Sequence, residues 1–203
     1  MVLQELLNQV RDFYLDHFRE VVKEKRRVPR TTLIAEPALR QAGGQVARQG
    51  TLKLPVRTDL VVNSTDVKDT MQVVTEESLG FDPVTVDWAT LKLELAPFRW
   101  EECQAKVHGL PSQPDWHPVV DWYERWFDEF DRKVALKKNF QEVVHGLGDP
   151  VSQNGETTLT VDFGTAPITA FEEFLDALAQ MGASSGIIGE LNQNGHQQGH
   201  REP

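Results

Sequence analysis

Residues 158–163 read Thr-Leu-Thr-Val-Asp-Phe, and residues 91–95 read Leu-Lys-Leu-Glu-Leu. Apolar and polar side chains alternate in both stretches, which is typical of a β-strand with one buried face and one wet face. Apolar residues recur every three or four positions at 115–131 and again at 167–181, which predicts two amphipathic helices. Together these stretches predict a sheet covered by helices, and that combination determines the fold.

Three further predicted strands complete the order along the chain. They lie at 98–108, 140–145 and 185–189, so residues 84–190 follow the order β-β-α-β-β-α-β. Each helix has one apolar stripe and each strand one apolar face. This favours a two-layer α+β sandwich, with a mostly antiparallel sheet and the helices on one face. The link from 98–108 to 140–145 has the length of a right-handed crossover, so we expect these two strands to run parallel. The alternation within 98–108 changes phase near residues 101–102, which predicts a bulge.

The N-terminal part of the chain predicts one long amphipathic helix over residues 3–27. Its apolar stripe consists of Leu3, Leu6, Leu7, Val10, Phe13, Tyr14, Phe18, Val21 and Val22. Such a helix either packs on its own chain or pairs with a second copy, so a homodimer through residues 3–27 stays open. Gly and Pro break up the residues that follow, and 1–75 is predicted as a helical and irregular segment. Residues 84–190 form the predicted α+β domain, and the polar residues 191–203 a disordered tail.

The charge of the chain is uneven. The 203 residues carry a net charge of −10, with 39% apolar and 26% charged residues, which is ordinary globular composition. Residues 1–70 contain 12 basic and 9 acidic side chains, whereas residues 71–203 contain 9 and 22. An acidic main body repels nucleic acids and anionic membranes, because binding to either depends on Lys and Arg. We therefore expect neither as a partner.

The expected compartment is the cytoplasm. The first residues, Met-Val-Leu-Gln-Glu, lack the basic start and apolar run of a signal peptide. The single cysteine, Cys103, cannot form a disulfide within the chain. No stretch approaches the roughly 18 consecutive apolar residues that a membrane-spanning helix needs.

The sequence Val-His-Gly-Leu occurs twice, at 107–110 and at 144–147. If the two segments end parallel neighbouring strands, their histidines lie close together at a sheet edge where ligands often bind. A further histidine begins the helix between them, with an aspartate one turn later. The candidate zinc ligands are therefore His108, His117, Asp121 and His145. The plainer interpretation is that these histidines end strands with their polar tips in water.

The outer faces of the two predicted helices are acidic. If both helices cover one face of the sheet, their carboxylates form a single negative field. One tryptophan at the edge of the apolar stripe is the candidate for an exposed aromatic anchor, although packing at the margin of the core is the favoured interpretation for it. The candidate binding residues are Trp122, Glu124, Asp128, Glu129, Asp131, Glu172, Glu173 and Asp176. A solvated acidic surface that keeps the protein in solution is the simpler interpretation.

These features favour a non-enzymatic cytoplasmic protein that binds a basic macromolecular partner, a protein, through its acidic helical face. An inhibitor or immunity-type protein would have this character, and it would need no cofactor. One alternative is a metal-assisted hydrolase or small-ligand binder that uses the His/Asp cluster with zinc. The other is a structural oligomer assembled by the N-terminal helix.

Overall fold

The structure is a computed structural model that describes residues 3–63, 68–132 and 140–189. Within them the helices are α1 (Leu3–Arg26), α2 (His117–Phe127) and α3 (Ile168–Gln180), and a 3-10 turn covers Trp100–Glu102. The first six strands are β1 (Thr32–Ala35), β2 (Arg48–Gln49), β3 (Leu54–Pro55), β4 (Leu60–Asn63), β5 (Lys68–Met71) and β6 (Val84–Trp88). The other six are β7 (Leu91–Leu95), β8 (Cys103–His108), β9 (Gly146–Leu147), β10 (Val151–Gln153), β11 (Glu156–Asp162) and β12 (Ser185–Ile188). No helix in these ranges is both long and apolar enough to cross a bilayer.

The main sheet has the strand order β10-β11-β8-β12-β7-β6, and β9 also pairs with β11. All of its pairings are antiparallel except that of β12 with β7. Buried and less buried residues alternate along β7, β8 and β11, so one face of the sheet is covered. The alternation predicted for 91–95 and 158–163 is therefore confirmed, and so is the α+β class.

Helices α2 and α3 pack against each other over the sheet. The indole of Trp122 on α2 donates a 2.8 Å hydrogen bond to the carbonyl of Ala170 on α3. Its ring centroid lies 4.9 Å from that of Phe174 and 6.0 Å from that of Phe163, which follows β11. Rings from both helices and from the sheet thus share one aromatic cluster, which adds specific geometry to the burial of apolar surface.

Helix α1 packs on its own chain, as one of the two options from the sequence requires. Its buried residues are Leu6, Leu7, Val10, Tyr14, Leu15, Phe18 and Val22. The Arg11 guanidinium donates hydrogen bonds to the carbonyls of Ala166 (2.7 Å) and Thr165 (3.0 Å), just before α3. Phe13, part of the predicted stripe, lies at its margin and is 43% exposed. A homodimer through residues 3–27 stays a prediction.

The chain between α1 and β6 builds small sheets rather than extending the main one. β1, β4 and β5 form a three-stranded antiparallel sheet, and β2 pairs with β3. The division into units at 1–75 and 84–190 stays a prediction, and the tail 191–203 lies outside the described residues.

The prediction of a strand at 140–145, parallel to 98–108, is wrong. β8 pairs antiparallel with β11 and with β12, and residues 140–145 form no strand. The backbone N–H of Val144 instead bonds the carbonyl of Trp126, and that of His145 bonds the carbonyl of Asp162. Burial of an irregular apolar segment explains the strand-like pattern. The phase change near 101–102 comes from the 3-10 turn and not from a bulge.

The tight packing of β12 between β7 and β8 predicts a strong effect of Gly186→Ala. A Cβ at Gly186 would collide with the backbone carbonyl of Lys106, which cannot move without disturbing the sheet. We expect a loss of about 1–3 kcal/mol in the free energy of unfolding, measured by urea titration. The matched control is Gly80→Ala, where a Cβ meets nothing within 4 Å. Equal stability of the two variants would contradict the register of β12.

Candidate functional site

A fully buried histidine, His145, lies at the centre of a cluster of acidic side chains. It precedes β9, and its side chain has no exposed surface. Carboxylates reach it from three other places in the chain: Glu36 after β1, Asp59 before β4 and Asp162 at the end of β11. Glu36 and His145 are 109 positions apart, so only the tertiary fold brings the cluster together.

Glu36 holds the Nε2 side of the imidazole. Its Oε1 lies 2.9 Å from Nε2 of His145, and because a carboxylate only accepts, Nε2 carries the hydrogen. The same carboxylate accepts a 2.7 Å hydrogen bond from the backbone N–H of Gln141 and another from the hydroxyl of Thr165. Gly164 lies so close to the imidazole that a Cβ there would collide with the ring. The orientation of His145 is therefore fixed.

Two aspartates face the Nδ1 side of the imidazole. Oδ1 of Asp59 lies 2.6 Å from Nδ1, and Oδ1 of Asp162 lies 3.9 Å from it. The Asp59 contact is an ion-pair distance without the alignment of a hydrogen bond, so buried Nδ1 has no hydrogen-bond partner. Asp59 itself accepts hydrogen bonds from the Tyr14 hydroxyl (3.2 Å) and the backbone N–H of Val73 (2.5 Å).

Charge and burial shift the pKa values of this cluster. Burial alone lowers the pKa of His145, but the carboxylates of Asp162, Asp59 and Glu36 outweigh it and raise that pKa from 6.5 to about 10. Burial raises the pKa of Asp162 from 3.8 to about 7, against the lowering effect of the His145 imidazolium. Without a further cation, the cluster therefore retains protons through neutral pH.

A buried arginine, Arg57, lies beside the cluster and joins it to the end of α2. Its guanidinium donates hydrogen bonds to the carbonyls of Phe127 (2.8 Å), Asp128 (2.6 Å) and Glu36. Nη1 also lies 2.8 Å from Oδ1 of Asp131. The cation stacks over the Phe127 ring, 4.7 Å from its centroid. Arg57 thus supplies donors to irregular backbone that no sheet covers.

The four zinc ligands predicted from the sequence do not converge. Nε2 of His108 lies 3.5 Å from Oε2 of Glu156, and the His108 side chain is 52% exposed. Nδ1 of His117 lies 2.7 Å from Asp115 on a helix start, and its side chain is 85% exposed. Asp121 lies one turn further along α2 and is exposed. Within the described residues, the group that could hold a metal is instead Asp59, His145 and Asp162.

The wrong prediction of parallel strands therefore led to the wrong set of zinc ligands. Of the four predicted zinc ligands, only His145 belongs to the acidic cluster, because its side chain is buried in the interior and does not lie at a sheet edge. Glu36, Asp59 and Arg57 were missed, since no local spacing relates them to His145. Asp162 had a weak signal: it is an acidic residue on the polar side of the strand predicted at 158–163.

Most residues of the predicted acidic binding face contact other side chains of the same chain. Arg48 contacts Glu124 (3.0 Å) and Glu129 (2.8 Å), while Arg40 and Arg57 contact Asp131. On α3, Glu172 accepts from Gln4, Glu173 from Arg125 and Trp126, and Asp176 from the indole of Trp88. Asp128 ends α2 in the left-handed conformation, with φ of 54°. Most carboxylates of the predicted binding face are thus paired with other residues of the same chain.

Trp122 is packed in the core, which is the favoured one of its two interpretations, and it is not an exposed anchor. The residue is 3% exposed, and its indole N–H bonds α3. Helix α3 packs against α2 and covers this side chain. Trp122 therefore belongs to the aromatic core.

Comparison with known proteins gives no function for this chain, so a function has to be inferred from the geometry of the site. The fold and the cluster define an α+β protein with a buried His-carboxylate centre. No protein-family model, curated protein or solved structure matches the chain.

The raised pKa values predict that the metal-free protein loses stability as the pH rises. His145 has a folded-state pKa above that of the unfolded chain, so its contribution is full below about pH 6.5 and is lost as the pH rises through about 10. The raised pKa of Asp162 acts in the same direction between about pH 4 and 7. At about 1.4 kcal/mol per pKa unit, we expect a loss on the order of a few kcal/mol from pH 7 to 10.

Urea unfolding in the presence of a chelator measures this loss. The control is the double variant His145→Gln with Asp162→Asn, which removes both groups with raised pKa values, and its stability should change less than that of the wild type between pH 7 and 9.5. A wild-type protein whose stability is constant or rises over that range would contradict the charged state assigned to His145.

The contacts of Arg57 predict that Arg57→Met is strongly destabilising. The substitution keeps much of the volume but leaves buried carbonyls without their donor and removes one of the two cations that contact Asp131. We expect a loss of about 3–5 kcal/mol in the free energy of unfolding. The matched control is Arg48→Met. Arg48 also bridges two acidic groups, but its side chain is 37% exposed, so we expect a loss of about 1 kcal/mol or less. Similar losses in the two variants would show that burial does not govern these contacts.

Proposed function

We propose that this protein binds one divalent metal ion of the zinc type between His145, Asp59 and Asp162. The observation that carries the proposal is the buried Nδ1 of His145, which faces two carboxylates and has no hydrogen-bond partner. One ligand atom from each of the three side chains lies within 4.8 Å of the others. Imidazole and carboxylate are both zinc ligands.

The distances in the cluster support a small ion. Ligands of a tetrahedral zinc ion, each about 2.0–2.1 Å from the metal, lie roughly 3.3 Å from one another. The distances from Nδ1 to Asp59 (2.6 Å) and to Asp162 (3.9 Å) lie on either side of that value. Sub-ångström side-chain shifts would bring the three atoms to bonding distance. A calcium ion fits less well, because it needs six to eight oxygen ligands.

The contacts of Glu36 also support a metal at Nδ1. Metal-binding histidines commonly donate their other ring N–H to a carboxylate, which fixes the ring and raises its basicity as a ligand. Glu36 accepts from Nε2 of His145 and is itself held by Gln141 and Thr165. This arrangement directs the Nδ1 lone pair of a neutral His145 toward Asp59 and Asp162. An ion there would replace a proton.

The burial of the ligands favours a structural ion over a catalytic one. The side chains of His145, Asp59 and Asp162 are 0%, 2% and 24% exposed, so only the last of them meets solvent. A hydrolytic metal needs an open coordination position that a substrate can reach. We therefore infer a non-enzymatic role, in which the ion links the segment before β4 to the segments before β9 and at the end of β11.

Location in the cytoplasm remains part of this proposal. It is supported by the single cysteine, Cys103, which is buried and unpaired. A zinc-type site of nitrogen and oxygen ligands does not depend on the redox state of that thiol.

Stoichiometric binding of Zn²⁺ to the chelator-treated protein tests the proposal. We expect one ion per chain by calorimetry, and a stabilisation of about 2.7 kcal/mol at a free ion concentration one hundred times Kd. At pH 8, binding should release about one proton, because the ion displaces the Nδ1 proton of His145. Calorimetry in buffers of different ionisation enthalpy measures that release.

Variants separate this site from nonspecific binding. His145→Gln and Asp162→Asn should each abolish stoichiometric binding, and Glu36→Gln should weaken it about 10–100-fold. The matched control is His108→Gln, which removes a histidine outside the cluster and should bind normally. Because Asp162 is partly exposed, its variant keeps the test valid even if His145→Gln unfolds. Retained binding in Asp162→Asn, or loss in His108→Gln, would overturn the proposal.

A further inference from the structure

A groove of about 550 Å³ lies between helix α1 and residues 75–77. The α1 side is formed by Phe13, Asp16, His17 and Glu20, which share one helical face because of their spacing. The other side is formed by Thr75, Glu76 and Glu77. Among the residues that the structure describes, no lysine or arginine lines the groove.

The groove combines an apolar surface with an acidic rim. The apolar surface is that of Phe13, which is 43% exposed. Large apolar side chains at such exposure contribute to binding when a partner covers them. Asp16, Glu20, Glu76 and Glu77 supply negative charge around them, so the surface is both apolar and anionic.

Only part of this negative charge is paired within the chain. Asp16 contacts Arg19 (2.6 Å) and Glu20 contacts Lys23 (3.0 Å) on α1, so the carboxylates that are open to a partner are those of Glu76 and Glu77. Within residues 3–63, 68–132 and 140–189, no ion pair engages Glu76 or Glu77. This contrasts with Glu124 on α2 and with the acidic residues of α3, which have internal partners.

The backbone at the rim is held in place before any partner binds. The backbone N–H and the hydroxyl of Thr75 both donate to Oε1 of the buried Glu101, at 2.7 and 2.5 Å. Arg99 donates to the carbonyl of Thr75 (3.2 Å). A preorganised groove loses less entropy on binding than a mobile one.

We propose that this groove docks a segment of another protein in which one bulky apolar side chain is flanked by Lys or Arg. The apolar side chain would cover Phe13, and the flanking cations would face Glu76, Glu77 and the acidic residues of α1. The charge complementarity selects basic partners and accelerates their encounter. The inference is independent of the metal site, and it moves the expected basic partner from the α2–α3 face to α1.

A fluorescein-labelled peptide tests this proposal. The probe carries one phenylalanine flanked on both sides by Lys-Arg pairs, and a second peptide replaces the basic residues with glutamate. We expect saturable binding of the basic peptide by fluorescence anisotropy, an affinity that falls steeply with salt, and no binding of the acidic peptide. The chelated protein should bind as well as the zinc-loaded one, which separates this result from the fate of the metal site.

Substitutions locate the binding surface. Glu76→Lys with Glu77→Lys should weaken binding at least about tenfold, and Phe13→Ser about tenfold with an unchanged salt dependence. The matched control makes the same charge change at exposed residues outside the groove, Glu24→Lys with Asp82→Lys, and should alter affinity by about twofold or less. Absent peptide binding, equal losses in the control, or a dimer that Phe13→Ser dissociates would each overturn the proposal.

Discussion

The contact of buried His145 with Glu36 and Asp59 is the interaction on which the rest of the structure depends. Each ion taken out of water costs several kcal/mol, which only a well-placed opposite charge offsets. Because the partners come from segments far apart in the chain, the charges can be paired only when the segments after β1, before β4 and before β9 are all in place. A partly assembled cluster would leave an unpaired buried charge, so its assembly is cooperative.

Arg57 provides partners for buried polar groups in the neighbouring irregular backbone, as the carboxylates do for His145. The strands in this part of the chain are short: β2, β3 and β9 have two residues each. They offer few backbone hydrogen bonds between strands, so the carbonyls of Phe127, Asp128 and Glu36 take their donors from one buried guanidinium. Arginine suits this role because its fixed planar donors can serve several acceptors at once and it stays charged.

Periodicity predicted those elements whose environment is uniform along their length. α1, α3, β7 and β11 each have one covered side, so their apolar spacing follows the helix or strand repeat. Residues 140–145 also contain apolar side chains, but residues 143–145 are buried in succession, and the segment bonds to Trp126, Asp162 and Ala166. Composition alone cannot distinguish such a segment from a strand. Glu36 and Asp59 carry no local signal, because their partner is defined only by the tertiary fold.

The structure explains the uneven distribution of charge along the sequence, which composition alone does not. The N-terminal residues 1–70 are net basic and the remainder is strongly acidic. The structure brings Arg40, Arg48 and Arg57 of the first part onto the carboxylates that follow or lie on α2. Most of the carboxylates that the sequence suggests for binding a partner are thus paired within the chain. A negative surface can recruit a second protein only where its carboxylates lack such contacts, which depends on the positions of cations that are distant in the sequence. The rim at residues 76–77 meets that condition, whereas the helical face with the highest density of acidic residues does not.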